Sequence, residues 1–127
     1  IDIDNFKLVN DLFGHEQGNA LLVMVANTLK NSVRSKDVVA RYGGDELGLI
    51  LKTKEMESFH CLERIKSAVE RSVLPTPKGE LRVTISAGIC SNKNSKVKTK
   101  NDLIRLADEA LYRAKSQGRN RICIHSS

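Results

Sequence analysis

The sequence contains no tryptophan, and aromatic residues make up only 4% of its 127 positions. That excludes the interleaved stacking faces on which single-stranded nucleic acid is read. Cysteines are few, odd in number and far apart, at Cys61, Cys90 and Cys123, with no CxxC pair. Such spacing excludes a disulfide framework and fits a reduced, cytoplasmic setting. His15, His60 and His125 stand at no ligand spacing from these cysteines, so no zinc site is expected. No apolar run approaches the roughly 18 residues of a membrane span. A basic start followed by an apolar stretch, the mark of a secretory signal, is also missing. The chain opens on "IDID" without an initiator methionine. An alternating opening of that kind reads as entry into a strand midway, and a piece of a larger protein is expected.

What is present describes one globular domain. Its length suits a single core, and 40% hydrophobic with 28% charged residues is ordinary for a folded domain. The net charge is +6. Cations gather late, at Lys93, Lys96, Lys98 and Lys100 and then at Arg113, Lys115, Arg119 and Arg121. An anionic partner is therefore expected: a nucleotide triphosphate, a nucleic acid or a phospholipid headgroup. For the lysine run at 93–100 alone, a solvated face is the simpler account.

Apolar periodicity places the elements. A short strand opens the chain, and "NFKLVNDLFG" reads as a short helix ending at Gly14. Leu21, Leu22, Val25, Ala26, Leu29 and Val33 fall at helical spacing. Residues 37–42 and 47–52 read as two strands around Gly43 and Gly44. Phe59, Leu62, Ile65, Ala68 and Val69 mark a second long helix that stops before Pro75 and Pro77. "LRVTISAGIC" alternates as a strand with one buried face. Thr99 and Asp102 form a capping box for a third long helix, which ends at Gly118. "RICIH" is a last strand. The order β-α-α-β-β-α-β-α-β gives an α+β domain, with helices over one face of a mainly antiparallel sheet.

The stretch "VVARYGGDELGLIL" puts two glycines and two adjacent acids between two strands. A hairpin needs glycine, but it does not need Asp45 and Glu46 where the strand re-enters the core. Asp2 and Asp4 end the first strand on one face. If that strand lies beside the hairpin, Asp2 or Asp4 meets Asp45 at the sheet end. Clustered carboxylates are a hard oxygen site suited to Mg²⁺, and Mg²⁺ suits phosphoryl transfer. Gly43 and Gly44 would let a substrate lie against the turn. Turn chemistry alone also accounts for Gly and Asp at a hairpin tip. Asp4 has its own alternative, as the cap of the following helix.

"RYGGDEL" resembles the signature of the GGDEF family, the diguanylate cyclase domains of bacterial signalling proteins. "DIDNFKLVNDLFGHEQGN" at 2–19, "VTISAGI" at 83–89 and "DEALYRAKSQGRNR" at 108–121 are similar to that family's other blocks, in the same order, across essentially the whole chain. The resemblance implies a nucleotide-cyclase or polymerase-palm-like fold with a five-stranded sheet surrounded by helices. It implies one GTP per domain and condensation of two GTP into cyclic di-GMP and two pyrophosphates, by a homodimer of domains. Asp2, Asp45 and Glu46, with the Ile3 carbonyl, would hold Mg²⁺ or Mn²⁺ and carry the catalysis. Phe6 and Lys7 would offer backbone N–H groups to the phosphates, and Gly43 and Gly44 would floor the nucleotide. Asn10 and Asn19 would read guanine, and Lys115 and Arg119 would pair with the terminal phosphates. Arg34 and Asp37 match an RxxD product-inhibition site for cyclic di-GMP, with Arg41 and Arg64 as accessory contacts. An attached sensor or output domain is implied, with no nucleic acid and no membrane contact by this domain.

Three departures from the family pattern stand out. Asn19 replaces the usual Asp, which exchanges a two-acceptor carboxylate for an amide with one acceptor oxygen. Leu47 replaces the signature Phe. The Leu-Thr-Gly and Asn-Arg segment that usually precedes "DID" does not appear. Asn19, Leu47 and that shortening favour a second reading, a regulatory module that binds GTP or cyclic di-GMP without turnover. The intact acids at 2, 45 and 46 favour the enzyme. A third reading, a basic nucleic-acid binder, rests only on the pI of about 9.4 and predicts strongly salt-dependent oligonucleotide binding.

Overall fold

In the computed structural model, which describes residues 1–126, the chain runs β1 (Asp2–Ile3), α1 (Phe6–Phe13), α2 (His15–Ser32), β2 (Val38–Arg41), β3 (Leu47–Ile50), α3 (Glu55–Arg71), β4 (Leu74–Thr76), β5 (Gly79–Leu81), β6 (Ile85–Ile89), α4 (Lys100–Ser116) and β7 (Ile122–Ile124). Strand β6 sits between β1 and β7. It runs antiparallel to β1, with Asp2 opposite Ser86, and parallel to β7, with Ala87 opposite Ile122. Strands β2 and β3 form an antiparallel hairpin, Arg41 opposite Leu47. The hairpin meets β1 through one bridge between Asp2 and Glu46. Around it, the Ile3 N–H donates to the Asp45 carbonyl at 3.2 Å and the Leu47 N–H to the Ile1 carbonyl at 2.8 Å. Five strands thus follow in the order β2-β3-β1-β6-β7, mainly antiparallel as expected, with the ladder thinnest beside the acids.

The helices cover both faces of this sheet, not one. On one side α2 and α3 supply Leu21, Val25, Leu29, Ile65 and Val69 to a core shared with Ile3, Ile85, Ala87 and Ile89. On the other lies α4, so close that a β-carbon on Gly88 would stand 2.2 Å from the Ala107 carbonyl oxygen and 2.3 Å from the Leu111 nitrogen. Strand β6 is accordingly buried on both sides, Ser86 as fully as Ala87. Ser86 and Gly88 look like a solvent face in sequence. Gly88 is small because the backbone of α4 packs on it, and Ser86 is buried with its hydroxyl donated to Asp4.

Helix α3 stops before Pro75 and Pro77 as expected, but the hairpin β4–β5 that follows has no counterpart in the sequence reading. Leu74 pairs with Leu81 and Thr76 with Gly79. Pro75 is exposed on this two-stranded ribbon, where a missing N–H costs no ladder bond. The capping box stands as expected: Asp102 N–H donates to Thr99 Oγ1 at 3.2 Å and Thr99 N–H to Asp102 Oδ2 at 3.0 Å. Leu47 is buried in the core. The lysines of the 93–100 run are exposed, as a solvated face requires. Among the described residues no helix is long and apolar enough to cross a membrane.

Candidate active site

The signature turn is braced from its own hairpin. Tyr42 and Gly43 both donate N–H to the Glu46 carbonyl, at 2.9 and 3.1 Å. The Arg41 guanidinium donates to the Gly43 and Gly44 carbonyls at 3.1 and 2.8 Å. A β-carbon on Gly44 would meet nothing within 4 Å, and on Gly43 only the Glu46 side chain, at 3.8 Å and beyond. The chain itself does not crowd the two glycines, so their exposed face is open to a ligand.

The bridge between Asp2 and Glu46 brings the acids of the first strand and of the turn together. Asp2 is buried. Burial, above all, pushes its carboxyl up from the ordinary range; the facing Asp45 carboxylate adds to this and Lys115 opposes it. Glu46 is also pushed up, by burial first and then by the negative charge of Asp108. Asp108, on α4, is therefore a fourth acid of the site. It stands inside the "DEALYRAKSQGRNR" block, but spacing gave it no partner.

Asp2 holds two unlike oxygens. Its Oδ2 accepts from the Lys115 ammonium. Its Oδ1 is buried without a hydrogen-bond partner. An orphaned carboxylate oxygen facing a second carboxylate fits a hard divalent cation, which the donor set of Asp2, Asp45 and Glu46 would suit. Among the described residues no three acidic, His or Cys side chains already stand in a ligating cluster. Lys115, expected on phosphate, is on Asp2. Arg119 lies past Gly118, exposed, in a left-handed turn (φ +122°, +64° and +49° at Gly118, Arg119 and Asn120).

Helix α1 begins beside the acids. Its cap residue Asn5 is in the left-handed region (φ 59°) and makes no side-chain cap bond. The first-turn N–H groups, those of Phe6 and Lys7 among them, have no partner within the helix. Such a terminus suits an anion. Farther along α1, the Asn10 carboxamide lies directly on Gly18 of α2: a β-carbon there would stand 1.8 Å from Asn10 Oδ1. Asn19 follows Gly18 and is exposed. Gly18 was not singled out in the sequence, although a glycine inside a helical run was the available signal.

Asp4 neither caps α1 nor joins the acid cluster. Ser86 Oγ donates to its Oδ1 at 2.6 Å, and Thr84 Oγ1 and the Asn120 N–H donate to its Oδ2 at 2.6 and 3.0 Å. Both oxygens are taken, and they bind β1 to β6 and to the turn after α4.

At the RxxD stretch, Asp37 accepts the N–H of Arg34 and of Lys52, each at 2.9 Å. The Lys52 and Arg34 N–H groups hold its carboxyl below the usual range. Asp37 thus closes the end of the β2–β3 hairpin. Arg34 lines an open groove of about 650 Å³ with Lys36, Lys52, Lys54 and Lys93. Arg64 is exposed on α3, and Arg41 is engaged on the glycine turn.

Comparison with known proteins places this geometry. The family model described as "Diguanylate cyclase, GGDEF domain" matches residues 1–121. The chain is 42% identical over 126 residues to diguanylate cyclase DosC of Escherichia coli, covering 96% of this chain and 26% of DosC. It is 41% identical over 128 residues to YtrP of Bacillus subtilis, covering 100% of this chain and 21% of YtrP. The chain thus spans only about a quarter of these relatives' length. The GGDEF domain of DgcB from Caulobacter crescentus, solved in complex with c-di-GMP, superposes with a TM-score of 0.92 at 30% identity, over 99% of this chain and 75% of that one. The active GGEEF domain of a Vibrio cholerae diguanylate cyclase superposes with a TM-score of 0.87 at 33% identity, over 99% of this chain and 80% of that one. With the signature turn braced beside Asp2 and the family match running through the turn after α4, the chain belongs to the GGDEF family of diguanylate cyclase domains.

Proposed function

We propose that this domain condenses two GTP molecules into cyclic di-GMP, working as a homodimer of domains that each present one GTP. The observation that carries the reading is the meeting of Asp2 with the Asp45–Glu46 turn beside Lys115. Asp2, Asp45 and Glu46, with the Ile3 carbonyl, would hold Mg²⁺ or Mn²⁺. Such an ion, when bound, offsets phosphate charge and activates the attacking oxygen. The residues themselves do the positioning. The open glycine floor at 43 and 44 receives the nucleotide, and the N–H groups of Phe6 and Lys7 receive phosphate oxygens. Lys115 and Arg119 pair with the terminal phosphates, and Arg can do so bidentately. Asn10 and Asn19 face the guanine edge. In the dimer, the 3′-oxygen of each GTP forms a bond to the α-phosphorus of the other. The α–β anhydride bond breaks, pyrophosphate leaves with that electron pair, and the hydroxyl proton passes to a carboxylate or water. Held in this way, the two GTP molecules react as if at high effective concentration.

Product control would lie at Arg34 and Asp37, with Arg41 and Arg64 as accessory contacts for cyclic di-GMP. The cationic groove beside Arg34 supports that reading. The short span of the chain within its relatives supports a module attached to sensor or output domains, and its three free cysteines support a reduced, cytoplasmic setting. A second reading, a GTP or cyclic di-GMP binding module without turnover, is favoured by Asn19 and Leu47. Incubation with Mg²⁺ and GTP or ATP, with products resolved by mass, separates the two. Cyclic di-GMP from GTP, lost in Asp45→Ala, is the expected result. Binding of cyclic di-GMP without any product would sink the enzyme and leave the receptor.

A further inference from the structure

Lys115 is asked to do two things that exclude one another. In the proposed reaction its ammonium pairs with phosphate, yet in the structure it donates to Asp2 Oδ2. Asp2 is the carboxylate that a divalent cation needs. Its side chain is 10% exposed, against 36% for Lys115, so Asp2 is the fixed member of the pair and Lys115 the movable one. Lys115 is the cation on Asp2, whose other oxygen is buried and unpartnered. The base of Lys115 is anchored, because the preceding residues Ala110, Leu111 and Ala114 of α4 are buried on the sheet. Beyond that base runs a flexible four-carbon stem with three rotatable donors. The ammonium can swing while its backbone stays in place.

We propose that Lys115 is a transferable counter-charge: it neutralises Asp2 until a divalent cation binds there, then moves onto the nucleotide's phosphates, so that cation and nucleotide strengthen each other's binding through this one side chain. The inference rests on the assignment of Asp2 and Asp45 to the cation and of Lys115 to phosphate. It adds a consequence that neither role carries alone. A divalent cation without nucleotide must displace an ammonium that has only water to move into and no phosphate to receive it, and it binds weakly. A triphosphate offers that ammonium a second anion. Coupling of this kind is reciprocal, so the cation raises nucleotide affinity by the same factor.

Mn²⁺ is the probe, followed by electron paramagnetic resonance on the purified chain. It is titrated with and without the α,β-methylene analogue of GTP, which cannot release pyrophosphate. In Lys115→Gln, free Mn²⁺ should bind about tenfold tighter than in wild type, while the analogue binds more weakly and its enhancement of Mn²⁺ binding shrinks. These opposite signs are the diagnostic feature, since a folding defect would weaken both ligands. Lys115→Arg keeps the charge and should keep the weak wild-type affinity for free Mn²⁺. Equal or weaker Mn²⁺ binding in Lys115→Gln would overturn the proposal. Asp45→Asn separates the two levels of the argument. If wild type with analogue binds Mn²⁺ no better than Asp45→Asn does, the cation assignment fails, and the proposed function and the coupling fall together.

Discussion

The carboxylate of Asp4 accepts the backbone N–H of Asn120 at 3.0 Å, joining the second residue of the first acid pair to the turn that carries Arg119. The same carboxylate holds Ser86 of β6 and Thr84, just before that strand, at 2.6 Å each. Asp4 is 5% exposed, so these bonds are sheltered from water. Truncation would leave two hydroxyls and an N–H without their acceptor. Asp4→Ala should therefore cost about 3 kcal/mol or more of folding stability, read as a lowered urea midpoint. Because the Asn120 tie also shapes the Arg119 turn, nucleotide affinity should fall in whatever fraction remains folded.

Gly88 should tolerate no side chain. The neighbours that a β-carbon would strike are backbone atoms of α4, at Ala107 and Leu111. Backbone in the middle of a helix cannot rotate away as a side-chain tip can. Gly88→Ala should push α4 off β6 at a cost of about 3 kcal/mol, visible in thermal unfolding. Since α4 carries Lys115, the same displacement should loosen the Asp2–Lys115 contact.

Glu46 should show the opposite balance, a site residue that costs stability. Its carboxyl is raised above the ordinary value of 4.5, by burial first and by the Asp108 charge second. The folded chain therefore holds this proton to higher pH than the unfolded chain does. In the window above 4.5 folding is linked to proton uptake, so Glu46's contribution falls as pH rises and stays low once both states are ionised. Glu46→Gln removes the ionised carboxylate. It should raise stability at neutral pH by about 1 kcal/mol at most, given partial solvent screening, while cyclase activity is lost. The gain should disappear in melts taken well below pH 4.5.

Periodicity was enough for the helices and for the order of most elements along the chain, though not for which strands lie side by side. Leu21, Leu22, Val25 and Leu29 on α2, and Ala110, Leu111 and Ala114 on α4, are buried where their spacing put them. What it could not show were relations at long range. Ser86 and Gly88 read as polar or neutral in one strand; only α4 lying above Gly88 explains its size, and only the buried Asp4 carboxylate explains the Ser86 hydroxyl. Pro75 and Pro77 read as breaks, although an exposed edge tolerates proline. At the site, the signature turn pointed to Asp45 and Glu46, and the first block to Asp2. The pairing of Lys115 with Asp2, the pressure of Asp108 on Glu46 and the threefold use of Asp4 depend on distances between opposite ends of the chain. No local spacing encodes those.

Gly18 offers a test in which stability and recognition should move apart. On a helix interior, alanine in place of glycine stabilises by up to about 1 kcal/mol. Here the new methyl would stand 1.8 Å from Asn10 Oδ1 and 3.5 Å from the Phe6 ring. The first obstacle is the end of a side chain, so Asn10 can rotate away and the fold can survive. The amide would then leave the position from which it is proposed to read guanine. Gly18→Ala should therefore keep or raise the melting temperature while the KM for GTP rises about tenfold, equivalent to about 1.4 kcal/mol of lost binding. A substitution at Asn10 that removes the amide, such as Asn10→Ala, should give the same KM, and the double variant should be no worse than either single one. Additive losses in the double variant would mean that Gly18 acts on the site by a route other than Asn10.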